Sequence, residues 1–138
     1  MSVLVDTSVW SLALRRRDGG ARHPTVSTLR FLIEQGETIR LIGAILQEVL
    51  QGVRDRSQFA RLRSALKPFP LIELGRGDYE AAAELGNHCR SRGVQAGTID
   101  FLIAAAAIRH RCALLTADQD FVHIARLSPL RLAVRAAS

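Results

Sequence analysis

"SVLVDTSVW", residues 2–10, decides how the rest of the chain is read. Val3, Leu4 and Val5 form a short apolar run with no polar alternation, the pattern of a strand covered on both faces. The run ends in a carboxylate, Asp6, with Thr7 and Ser8 behind it and Trp10 close by. Covered strands of this kind belong to parallel sheets, where ligands gather beyond the carboxyl ends of the strands.

Working outward, strands and helices alternate. A helix is expected from Pro24 or Thr25, with Val26, Leu29 and Ile33 on one face and Gly36 closing it. "TIRLI" (38–42) reads as a strand and "GAILQEVLQGV" (43–53) as a helix. "SQFARLRSALK" (57–67) is a further helix ending before Pro68, and "FPLIEL" (69–74) a strand. "DYEAAAELGNHCRSRG" (78–93) has an Asp in N-cap position and a closing Gly93. "TIDFLIAAAAIRHR" (98–111) is an almost wholly apolar helix, and "CALLT" (112–116) a buried strand. A short helix near 119–126 and a last strand, "LRLAV" (130–134), complete the pattern. "RRRDGGARH" (15–23) is the most loop-like stretch. The alternation predicts an α/β fold with a central parallel sheet covered on both faces, in one domain spanning 1–138.

The bulk numbers narrow the class. A hydrophobic content of 48% supports an ordinary core, and no apolar run approaches a membrane span, so a soluble, cytoplasmic protein is expected. Cys89 and Cys112 match no metal or redox spacing and read as reduced core thiols. Net charge is +6, and eighteen of the nineteen basic residues are arginine, whose planar fork suits phosphate. A polyanionic partner and genomic composition bias explain this equally well. There is no glycine-rich phosphate loop, and His23, His88, His110 and His123 show no ligand spacing. Arg109 and Arg111 suit the negative end of the apolar helix's dipole.

The acids fall where such a fold binds things. Asp6 ends the first strand, and Asp118 and Asp120 follow "CALLT". Capping is a competing reading at both places: Asp6 can cap the helix after it, and Thr116 with Gln119 has the spacing of a capping box. Asp100 sits in the first turn of the apolar helix, two residues after Thr98, a plausible N-cap. Dipole stabilisation of roughly 0.3–1 kcal/mol is small beside the desolvation of a charge, so a cation is the natural partner for Asp100. Glu48 lies at the margin of the stripe Ile45, Leu46, Val49 and Val53, with room left by Ala44 and Gly52. If these acids converge, two carboxylates about 4 Å apart repel by roughly 4 kcal/mol at an effective dielectric near 20. Oxygen ligands without His or Cys select Mg²⁺, or Mn²⁺, over zinc.

"VLVDTSVW", Glu48 in "LQEVLQG", "GTIDFLIAAAA" and "LLTADQDF" together resemble, in order, the motifs of PIN-domain ribonucleases, and among them the VapC toxins of bacterial VapBC toxin–antitoxin systems. The resemblance spans residues 3–121; residues 53–93 carry no motif. It implies a three-layer α/β/α domain and Mg²⁺-dependent endonucleolytic cleavage of tRNA or rRNA, a metal-activated water attacking phosphorus in line. It also implies metal ligation by Asp6 and Asp100, directly or through water, with Glu48 and Asp118 completing the acidic set. Asp120 matches a further acid, and Thr7 and Thr116 match small hydroxyl positions that hydrogen-bond the carboxylates or water. A homodimer and a VapB-like antitoxin that occludes the acidic cleft are implied as partners.

Two other functions remain open from the residues. A non-catalytic RNA- or protein-binding module needs no cluster of acids. An aspartyl-phosphate phosphatase also presents an Asp at a strand end, but wants a second Asp two residues on, where Ser8 stands.

Overall fold

The computed structural model describes residues 1–15, 19–20 and 22–133. Four parallel strands form one sheet: β1 (Ser2–Val5), β2 (Thr38–Ile42), β3 (Leu71–Ile72) and β4 (Cys112–Leu115), in the order β3-β2-β1-β4. Seven helices among the described residues flank it: α1 (Thr7–Arg15), α2 (Pro24–Glu34), α3 (Gly43–Leu50), α4 (Arg56–Leu66), α5 (Arg76–Ser91), α6 (Thr98–Arg109) and α7 (Asp120–Arg126). The expected three-layer arrangement around a parallel sheet is what the chain adopts.

The core follows from the apolar runs. Val3, Leu4 and Val5 are fully buried, as are Leu114 in β4 and Ile42 in β2. Each such side chain contributes about 1.5–3 kcal/mol of burial. In α6 every residue from Phe101 to Ala107 is buried. The helix packs along α5, where Gly86 leaves room for the Phe101 ring; a Cβ there would stand 3.1 Å from Phe101 Cδ2. Trp10 is a packing residue, as its sequence context implies. Its ring lies 5.1 Å from that of Phe69, and its Nε1 donates to Val5 O at 3.1 Å.

Register places the functional edge. Leu4 pairs with Leu114 and Val5 with Leu115, so β1 and β4 end level. The Asp6 N–H extends the ladder by one bond, to Leu115 O at 2.9 Å. From β1 the sheet grows to β2 and β3 on one side and to β4 on the other. The order therefore reverses between β1 and β4, the crevice where open parallel sheets take ligands.

Several boundaries differ from expectation. "FPLIEL" narrows to the two-residue β3. Pro70 lacks an N–H and contributes only its carbonyl, to Leu41 N–H. The expected last strand reduces to a single bridge between Leu132 and Leu114, and Val134 lies outside the described residues. Asp78 is not an N-cap. Gly75 is, and Asp78 sits inside α5 as its third residue, accepting from Gly75 N–H. Likewise α6 is capped by Gly97, with Thr98 its first helical residue. The helix expected over 43–53 stops at Leu50, before Gly52 in the left-handed region (φ 86°). In the loop-like stretch, Arg15 ends α1 and His23 caps α2. Positions 16–18 and 21 lie outside the described residues.

Candidate acidic metal centre

Asp6 is the most buried of the acids, 5% exposed, at the end of a strand with no freedom to move. Its main-chain carbonyl accepts from Val9 and Trp10 N–H, which starts α1. Its side chain does something else: Oδ2 accepts from the Ser8 hydroxyl at 2.7 Å and from the Thr116 hydroxyl at 2.9 Å. The capping alternative is thus divided: backbone caps, carboxylate faces β4. Burial and the engaged Oδ2 also weigh against Asp6 as a phosphorylated nucleophile.

The β4–α7 loop is built by short polar turns. Thr116 Oγ1 accepts from Asp118 N–H at 3.0 Å, and Asp118 Oδ1 accepts from Asp120 N–H at 2.9 Å. "TADQ" is therefore not a capping box. Gln119 is the N-cap of α7, and the Thr116 hydroxyl is spent on Asp6 and Asp118. These turns put Asp118 and Asp120 on the same side as Asp100. One carboxylate oxygen from each of Asp100, Asp118 and Asp120 lies within 4.8 Å of the others.

Asp6 and Glu48 stand outside that tight triad yet share its field. Burial, then the charges of Asp118, Asp6 and Asp120, raise the pKa of Asp100, against a lowering by the Gly97 N–H on its Oδ2. Glu48 is raised by burial first, then by Asp6 and Asp100. It is exposed and lines a groove with Ala44, Gln47, Gln51, Gly52 and Ile99, the space expected around it. Among the described residues, no basic side chain forms an ion pair with any of the five acids. The five carboxylates expected to converge do so, but the closest three are Asp100, Asp118 and Asp120 rather than a set led by Asp6.

The donors fit a hard divalent cation: carboxylate oxygens only, with no His or Cys in the triad. One residue after Asp6, Thr7 Oγ1 is buried with no hydrogen-bond partner among the described residues. A polar atom in that condition needs water or another ligand. Thr116 makes the carboxylate bond expected of a small hydroxyl; Thr7 does not.

Two features were not read from the sequence. Ser8 donates to Asp6 and accepts from Ala117 N–H at 3.0 Å. Far down α6, Asp78 accepts from Arg109 Nε at 2.9 Å and contacts His110 Nε2 at 3.0 Å. Burial alone raises the Asp78 pKa, but the bonds from Gly75, Arg109 and His110 prevail and hold it below the usual carboxylate range. Arg109 thus serves an ion pair as well as the helix end, and an acid–base pattern 31 residues apart carries no local sequence signal.

Comparison with known proteins agrees with this geometry. The family model described as "PIN domain" matches residues 3–127. The chain is 32% identical over 133 residues to VapC ribonuclease Mb1587 of Mycobacterium bovis (strain ATCC BAA-935 / AF2122/97), covering 95% of this chain and 97% of that protein. Ribonuclease VapC11 of Mycobacterium tuberculosis (strain ATCC 25618 / H37Rv) is similar to the same extent. Among solved structures, VapBC2 from Rickettsia felis, bound to a promoter DNA fragment, has a similar fold. The TM-score is 0.77 at 20% identity, over 99% of this chain and 100% of that one. VapBC-1 from nontypeable Haemophilus influenzae gives a TM-score of 0.76 at 15% identity, over 97% and 98%. The strand that ends in Asp6, the buried α6 that opens on Asp100 and the loop that carries Asp118 are those of a known family: the chain belongs to the PIN domain family.

Proposed function

We propose that this chain, read as one PIN domain, is a divalent-metal-dependent endoribonuclease and the toxin of a toxin–antitoxin pair in the cytoplasm. The observation that carries the reading is the convergence of Asp100, Asp118 and Asp120 within 4.8 Å, with no cationic side chain paired to them. The similarity to VapC ribonucleases supports RNA as substrate, and the net charge of +6 favours a polyanion reaching a locally acidic centre.

Asp100, Asp118 and Asp120 would hold the ion, Mg²⁺ or Mn²⁺, with Asp6 and Glu48 joining directly or through water. When bound, the ion supplies Lewis acidity towards a phosphodiester oxygen and makes water more acidic. The chain's own residues do the rest. Thr116 and Ser8 fix the Asp6 carboxylate, and Glu48, with its raised pKa, suits the role of holding a proton released by an attacking water.

A VapB-like antitoxin and a second copy of the chain are the proposed protein partners. The fold neighbours solved as VapBC complexes support the first. Leu71, Tyr79 and Ile99, exposed large apolar side chains on adjoining grooves, support protein contact on that side. No helix among the described residues is long and apolar enough to cross a membrane.

The test is cleavage of RNA by the purified chain in Mg²⁺ or Mn²⁺, compared with EDTA and with Asp100→Asn. Metal-dependent cleavage lost in the variant supports the reading. RNA binding with no cleavage in either metal replaces it with a non-catalytic binding module.

A further inference from the structure

We infer that Ser8 is a positioning residue of the acidic centre, locking the Asp6 carboxylate to the loop that carries Asp118 and Asp120 before any cation arrives. The inference rests on the reading of that centre as a cation site. It starts from the direction of the hydrogen bonds. A hydroxyl has one proton to give. Ser8 Oγ lies 3.0 Å from Ala117 N–H, which can only donate, so the hydroxyl accepts there. Its single proton goes to Asp6 Oδ2 at 2.7 Å. Thr116 repeats the arrangement, accepting from Asp118 N–H and donating to the same Oδ2.

Two donors therefore converge on one oxygen of a buried group, an arrangement that suits an ionised carboxylate. Asp6 Oδ1 is left without a protein hydrogen bond among the described residues and is the oxygen available to a cation. Ser8 adds what Thr116 cannot. It stands on the first turn of α1, so it ties the β1 end, the helix and the loop at Ala117 together. Removing its hydroxyl leaves Ala117 N–H without its acceptor and releases one of the two restraints on Asp6. Thr7 offers no substitute, because its own Oγ1 makes no hydrogen bond.

The experiment is Mn²⁺ titration, by electron paramagnetic resonance of the free ion, of wild type, Ser8→Ala, and the isosteric pair Ser8→Thr and Ser8→Val. It is accompanied by thermal melts without metal and by kcat and KM on an RNA that wild type cleaves. Partners that orient a ligand typically affect metal affinity or activity by 10–100-fold. Ser8→Ala and Ser8→Val should bind Mn²⁺ at least about tenfold more weakly, and Ser8→Thr within about threefold of wild type. The loss should fall on kcat, with KM for RNA unchanged. Folded Ser8→Ala binding Mn²⁺ as tightly as wild type overturns the inference and leaves the cation site standing. If Ser8→Ala does not fold, Ser8→Val binding as tightly as Ser8→Thr overturns it equally. Wild type that binds no Mn²⁺ removes the cation site itself, and the inference with it.

Discussion

The Thr116 hydroxyl donates to Asp6 Oδ2 at 2.9 Å across 110 residues of chain. Level strand ends make this possible: Val5 pairs with Leu115, so the next residue of each strand emerges at one sheet edge. Thr116→Val keeps the shape and removes both the bond to Asp6 and the acceptor for Asp118 N–H. Its activity on RNA should fall by about 10–100-fold. Thr116→Ser should retain most of it. Initial cleavage rates at saturating Mg²⁺ check this, and unchanged rates in Thr116→Val would remove the hydroxyl from the site.

Asp6→Asn separates shape from charge. The amide oxygen can take the place of Oδ2 and accept both hydroxyls, which puts the NH₂ where Oδ1 stood. The variant should therefore melt within a few degrees of wild type and lose cleavage by at least about 100-fold, the cost of removing an ionised ligand. Circular dichroism melts beside the cleavage assay check both halves.

Asp78 governs acid stability. Its folded pKa is lowered by Gly75, Arg109 and His110, so its contribution is present above the ordinary carboxylate pKa of about 3.9 and is lost as pH falls through the lower folded value. Arg109 is 48% exposed, which screens the pair and keeps the contribution modest. Asp78→Asn should cost about 2 kcal/mol at pH 7, from charged hydrogen bonds lost in a buried site. The difference from wild type should shrink at pH 3. Urea unfolding at both pH values measures it.

The acidic centre has the opposite sign. Asp100 and Glu48 have folded pKa values raised above their ordinary ones, chiefly by burial and then by neighbouring acids. In the window above the ordinary carboxylate range, the metal-free folded state holds protons that the unfolded chain has released. Its stability therefore falls as pH rises through that window. A bound cation displaces those protons. Mn²⁺ affinity should weaken as pH drops from 7 to 5, with proton uptake or release visible by calorimetry in buffers of different ionisation enthalpy. Affinity independent of pH would remove Asp100 and Glu48 as the titrating ligands.

Much of this was legible in the residues, for physical reasons. Val3–Val5 and Phe101–Ala107 are apolar on every side, and only burial accommodates such segments. Asp6, Asp100 and Asp118 stood out because acids at the ends of buried elements need partners. What stayed hidden depends on register. Ser8 looks like any helix-start hydroxyl until β4 places Ala117 against it. "TADQ" fits a capping box by spacing, yet the Thr116 hydroxyl is drawn to a carboxylate on another strand. Asp78 has the local pattern of an N-cap, and its bonds to Arg109 and His110 arise only from the antiparallel packing of α5 on α6. β3 is short because Pro70 cannot donate, and hydrophobicity alone does not register that.

The most direct measurement of the central claim is anomalous diffraction from crystals of the chain grown with Mn²⁺. The account expects a strong manganese peak about 2.1–2.2 Å from carboxylate oxygens of Asp100, Asp118 and Asp120, the spacing of a hard octahedral cation. Full manganese loading with that position empty, or a peak elsewhere on the molecule, would contradict it.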